Sequence, residues 1–175
     1  MNTKQTFSIL TMAMLLLMTL VVPARAATQA GDDEQADWVA AWRTTISPIP
    51  GDPTQFPAFP GLLTINQEKT LSESDGSQLV PVPAGALGPN ELFASGGHGA
   101  WRDLGAHKFA IKIVQIVVNG NDNTLFGTVT LQFTVKVGVD GNHFQGKGAF
   151  NFADANGNTI FSGNEQISGE RIAIQ

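Results

Sequence analysis

The second half of the chain alternates apolar and polar residues with a period of two, the signature of strands that bury one face. In Phe126–Val137, Phe126, Leu131, Phe133, Val135 and Val137 share one face, and Thr128, Thr130, Gln132, Thr134 and Lys136 share the other. Phe144, Gly146, Gly148, Phe150 and Phe152 form the matching face of the next segment, and Phe109, Ile111, Ile113, Gln115 and Val117 that of the preceding one. The pattern predicts strands at His98–Asp103, Lys108–Asn119, Leu125–Val139, His143–Asp154 and Thr159–Ile174, separated by turn clusters that include Asp140-Gly141-Asn142 and Ala155-Asn156-Gly157-Asn158. Asp-Gly and Asn-Gly between alternating segments are strong hairpin signals.

The first half is less regular. Strands are expected at Trp38–Ile46, Leu62–Asn66 and Lys69–Ser74, with long proline-containing loops over 47–61 and 75–96. Proline lacks the N–H that a helix interior or a central strand needs. The expected fold is therefore all-β: a single antiparallel up-and-down barrel of about eight strands over residues 38–175, with a two-sheet sandwich as the alternative. Glycines at 127, 138, 146, 148, 163 and 169 favour the barrel, because strongly bent strands need glycine at their corners.

The N-terminus changes the picture of compartment. Lys4 precedes an apolar run from Phe7 to Val22, and Ala24-Arg25-Ala26 supplies the small residues that signal peptidase accepts. Residues 1–26 read as a signal peptide and 27–37 as a flexible leader, so the expected product is secreted or periplasmic. The run is shorter than the roughly 20 residues of a spanning helix, so no membrane span is expected. Cleavage leaves 149 of the 175 residues, enough for one domain with its own core. It also removes Lys4 and Arg25, leaving eight basic against fifteen acidic residues, a formal charge of −7. That balance, without a basic cluster, argues against nucleic acid as a partner. The chain has no cysteine, so no disulfide staples the fold.

The stretches GHGAWRDLGAHKFAIKIVQIVV, FGTVTLQFTVKV, DGNHFQGKGAFNFADANGNTIFSG and SGERI resemble a group of secreted bacterial proteins of undefined role. That resemblance implies a small closed barrel, lipocalin-like or allene-oxide-cyclase-like. Calycin barrels carry Gly-x-Trp on the first strand and an Arg on the last that packs across the Trp. Here the first strand reads Ala40-Ala41-Trp42, without the glycine, while Arg171 is present.

Candidate chemistry is sparse. Trp38 and Arg171 are expected to cap one end of the barrel, with Arg171 stacked on a tryptophan. Trp101, Trp42, Gln115, Phe133 and Phe150 are the candidate ligand-binding residues, with Trp101 at the barrel mouth and the amide of Gln115 pointing into an apolar interior, where it needs a partner. Glu165 shares the inward face of the last strand, where burial would raise its pKa and suit a general acid. No catalytic residue is assigned. His98, His107 and His143 lack metal-ligand spacing, and 154–158 with Glu165 imitates a calcium loop but lacks its central glycine, so neither a metal nor another cofactor is expected. Ser95, His98 and Asp103 have no supporting nucleophile motif. The function expected from these features is binding of a small apolar molecule inside the barrel. The alternatives are a cyclase- or isomerase-type enzyme using the same pocket, and a filled barrel acting through its loops on a protein or envelope partner.

Overall fold

Nine strands run β1 (Ala41–Pro48), β2 (Phe59–Ile65), β3 (Thr70–Asp75), β4 (Leu92–Ala94), β5 (Gly97–Gly105), β6 (Lys108–Asn119), β7 (Leu125–Val137), β8 (His143–Asp154) and β9 (Thr159–Arg171). They come from a computed structural model that describes residues 38–51, 57–76 and 91–173. All of these lie in one compact unit, Glu34–Gln175. The expected signal peptide and leader fall outside the described residues, as do parts of both proline-containing loops.

β4 aside, each strand pairs antiparallel with the next along the chain, β3 passing over β4 to β5, the last with the first through Trp42↔Arg171 to Pro48↔Glu165, and β6 with β7 along almost its whole length. The sheet therefore closes into an eight-stranded up-and-down barrel, and the sandwich alternative does not occur. β4 is the one strand beyond eight, and it continues β5 along the same edge of β6: Ala94 pairs with Val117 and His98 with Val114. The one-residue slip between them is a bulge. Ser95 bridges it, its N–H donating to the Ile116 carbonyl and its Oγ accepting from the Ile116 N–H. No helix among the described residues is long and apolar enough to cross a membrane.

Alternation places the core as expected: Phe109, Ile111, Ile113, Gln115 and Val117 of β6 are all buried, as are Leu131, Phe133, Val135 and Val137 of β7. Most strand ends shift by a few residues from the sequence reading, and three points carry a physical reason. The first strand begins at Ala41, with Trp38–Ala40 as its lead-in. The second begins at Phe59 and takes in Pro60, which pairs with Thr45 of β1 but lies beyond the end of β3, so its missing N–H breaks no ladder. Phe126 is not in register with Leu131: a bulge opposite Val117 and Val118 drops it from the pairing, and its ring packs on Phe152 at 5.7 Å.

The two ends of the barrel differ. At the end carrying the short β2–β3, β5–β6 and β7–β8 turns, four rings fill the bore. Trp38 stacks on Phe109 (5.1 Å, 8°), meets Phe144 edge-on (5.2 Å) and lies 5.7 Å from Trp42; Trp42 also meets Phe144 edge-on at 5.1 Å. Glycines make this packing fit. A Cβ on Gly169 would lie 2.1 Å from Cε1 of Phe144, one on Gly146 2.5 Å from Cγ1 of Val135, and one on Gly148 2.7 Å from Cδ1 of Phe133. These glycines seat neighbouring side chains rather than opening a space, so this half of the barrel is filled.

Gly169→Ala is accordingly expected to destabilise the barrel by about 2 kcal/mol or more, the cost of overpacking a filled core. Adding Phe144→Leu should restore part of the loss. Denaturant unfolding followed by far-UV circular dichroism checks both, and additive losses in the double variant would contradict the packing described.

Candidate functional site

The filled end holds most of the residues that the sequence marked for ligand contact. Trp42, Trp101 and Phe133 all belong to the buried core there. Trp101 is 4% exposed, its indole N–H donates to the Asn66 carbonyl at 2.9 Å, and its ring meets Phe109 edge-on at 5.8 Å. It therefore sits at the end with the short turns and not where the long loops leave the barrel. Trp38 is fully buried and accepts the Trp42 indole N–H at its carbonyl, 3.1 Å away. Arg171 lies with Cζ 5.4 Å from the centre of the Trp42 ring, which its register opposite Trp42 imposes. The indole surface covered by the guanidinium closes that end of the bore.

Toward the other end the inward columns turn polar at a common level. On β3 the inward residues run Leu71, Glu73, Asp75; on β6, Ile113 gives way to Gln115; on β9, Ile167 gives way to Glu165; on β1, Thr44 stands between Trp42 and Ile46. Thr44, Glu73, Asp75, Gln115 and Glu165 are the buried polar residues of the barrel, each 7% exposed or less. Nε2 of Gln115 donates to Oε2 of Glu73 at 2.9 Å and to Oδ2 of Asp75 at 3.0 Å. Two carboxyls thus supply the partner that the sequence reading required for this amide.

Two glycines make room for this layer. β5 lies between β3 and β6, and a Cβ on Gly97 would stand 2.6 Å from Oε2 of Glu73 and 2.5 Å from Cγ2 of Ile113. Without a side chain there, Glu73 reaches across β5 to Gln115. On β2, a Cβ on Gly61 would lie 2.8 Å from Oγ1 of Thr44 and 3.3 Å from Cβ of Asp75.

Burial next to another carboxyl moves protons. Glu73 is pushed up to about 8, chiefly by desolvation, then by the charge of Asp75 and a hydrogen bond with it; the Gln115 amide and the Gly97 N–H oppose the shift. Glu165 is also pushed up to about 8, by desolvation and then by the charge of Asp75. One oxygen of each, Oε1 of Glu73 and Oε1 of Glu165, is buried without a hydrogen-bond partner. A buried polar atom left unpaired costs about 1–3 kcal/mol, so the arrangement asks for a partner.

Beyond Gln115 on β6, toward the loops, the interior turns apolar again. Leu92, Val117 and Phe152 form a second buried cluster, with half-buried Phe126 and Val129 against it. Phe150, the remaining candidate from the sequence, is half-buried on β8 and packs on Phe161 at 5.2 Å. Of the sequence-marked residues, then, Gln115 and Glu165 belong to this half, while Phe150 packs against the first core cluster. Glu73 and Asp75 were not singled out, although Leu71 at the same parity was the signal that β3 turns them inward.

Other constellations fall away. Asp103 accepts from the Gly105 N–H at 2.6 Å and His98 is exposed, so with Ser95 they form no triad. Asp154 accepts from the N–H groups of Asn156 and Asn158 and closes the β8–β9 turn. No group of three His, Cys, Asp or Glu among the described residues stands close enough to hold a metal ion. A shallow trough of about 650 Å³ lies on the outer face of β6–β9 between Lys108, Lys136 and Lys147, separate from the interior. No protein-family model matches the chain, and it has no match among curated proteins or solved structures.

The raised acids set the pH dependence of stability. An unfolded glutamate titrates near 4.5, so between about pH 4.5 and 8 the folded barrel holds protons that the unfolded chain has lost, and stability falls as pH rises through that window. Thermal melts should show a lower Tm at pH 9 than at pH 5, with Glu73→Gln/Glu165→Gln flattening the difference. A wild-type Tm that rises from pH 5 to 9 would contradict the burial of these groups as acids.

Proposed function

We propose that the protein binds a small, largely apolar molecule in the half of its barrel from which the long loops leave, after export from the cytoplasm. The observation that carries this reading is the interior itself. One half is packed solid by rings, and the other holds an apolar cluster beyond buried carboxyls with unpaired oxygens. Binding sites take this form: an apolar surface that supplies burial, and a few polar groups that fix orientation. Eight strands give a bore just wide enough for one small ligand, and with one end filled, entry is from the loop side. The Phe7–Val22 run and Ala24-Arg25-Ala26 support export, with the mature chain beginning at Ala27.

A second reading rests on the same carboxyls. An acid near pKa 8 inside an apolar bore can donate a proton at neutral pH, as a cyclase- or isomerase-type enzyme requires. Binding comes first because either reading needs it.

Native mass spectrometry of protein expressed from the full 175-residue sequence tests the proposal. The expected result is a chain starting at Ala27 that takes up the neutral probe N-phenyl-1-naphthylamine. Val129→Trp, which fills the loop half, should weaken uptake at least tenfold while the far-UV spectrum stays that of the barrel. A soluble chain starting at Met1 would overturn export, and unchanged uptake by Val129→Trp would overturn the placement of the site.

A further inference from the structure

The charge at the loop end of the barrel has one sign. Four connections join strands there: 49–58, 76–91, 120–124 and 155–158. Their only charged residues are Asp52, Glu91 and Asp122, all acidic, and β8 ends beside them at Asp154. Inside, the titratable groups facing this half are Glu73 and Asp75 from β3 and Glu165 from β9. Among the described residues β1, β2, β5, β6, β7 and β8 turn no Lys, Arg or His toward them. The basic side chains lie elsewhere: Arg43 is exposed and paired with Glu170, and Arg171 covers Trp42 at the filled end. No connection at this end contains a basic residue, and among the described residues none supplies a cation to Glu73 or Glu165.

A buried carboxylate without a counter-charge is costly, and proteins ordinarily pair it. Here Oε1 of Glu165, on a residue 2% exposed, is buried with no hydrogen-bond partner, and so is Oε1 of Glu73. The Gln115 amide supplies donors to Glu73 and Asp75 and none to Glu165. The missing complement is a positive, hydrogen-bonding or close-packing group that enters from outside.

We infer that the ligand of this site is an organic cation: an ammonium group paired with Glu165, beside the Glu73–Asp75 pair, on an apolar skeleton that lies against Phe152 and Val129. This deepens the binding reading given above and rests on it. A divalent metal ion fits less well, since no three ligating side chains stand close enough to coordinate one among the described residues. The acidic residues described at this end, Glu91, Asp122 and Asp154, also favour a cation before contact, because one sign of charge around an opening concentrates ligands of the other. Binding of a fixed positive charge favours the ionised form of the two glutamates, so it releases protons and strengthens as pH rises through their titration.

The test uses three probes of equal chain length below their micelle concentrations: decyltrimethylammonium, whose charge does not vary with pH, decanol and decanoate. Isothermal titration of the purified protein should give decyltrimethylammonium at least tenfold tighter binding than decanol at pH 9, and decanoate the weakest. The preference for the cation should shrink at least tenfold between pH 9 and pH 6 while decanol stays level. Glu165→Gln, with the barrel spectrum intact, should lose most of the preference and keep decanol binding. If decanol or decanoate binds as tightly as the cation at pH 9, the cation inference is overturned and the binding reading stands. If none of the three binds, both are overturned.

Discussion

Closure of the sheet is the constraint on which everything else in this molecule rests. Once β1 pairs with β9 and β6 with β7, the eight strands have no free edge, and every second residue of each points into a single narrow bore. Each inward position must then be filled by neighbouring side chains, or hold a polar group with its partner, or meet something from outside. The structure uses the first solution at one end and leaves the other end short of the second.

At the filled end, glycine and aromatic residues are complementary parts of one packing. Phe144 occupies the space that a side chain at Gly169 would take, and Trp38, Trp42 and Phe109 close around it. Arg171, held opposite Trp42 by the β1–β9 register, covers the outermost ring. With no disulfide, this aromatic core carries the cohesion of the fold. At the other end the same device, glycine on an inward position, serves polarity. Gly97 and Gly61 let Glu73, Asp75, Gln115 and Thr44 converge across strands that would otherwise separate them. Stability and the site therefore compete: the acids lose solvation on folding, and the loss grows as they ionise.

Most of the architecture was legible in the sequence because it is written in period-two alternation and Asp-Gly or Asn-Gly turns, both local signals. All five strands expected after Gly97 occur, with ends displaced by a few residues at most. The errors come from non-local causes. Pro60 is tolerated in β2 only because β3 ends opposite Gly61, and Phe126, out of phase with Leu131 in the chain, reaches the inward cluster only through a bulge opposite β6. The site was half legible. Parity placed Gln115 and Glu165 inside, and the same parity applied to β3 places Glu73 and Asp75 beside them. That Trp101 lies at the filled end was not legible, since a tryptophan at a strand start fits either end until closure decides which loops surround it.

Glu73 and Glu165 are acids buried in the bore with no cation beside them among the described residues. Carbon-detected NMR of the glutamate side-chain carboxyls, followed from pH 3 to pH 10 in the folded protein, measures this directly. Two glutamates should titrate near pH 8, both signals disappearing in Glu73→Gln/Glu165→Gln, while the exposed Glu170, paired with Arg43, titrates below the usual glutamate range. Six glutamates that all titrate at or below about 4.5 would contradict it.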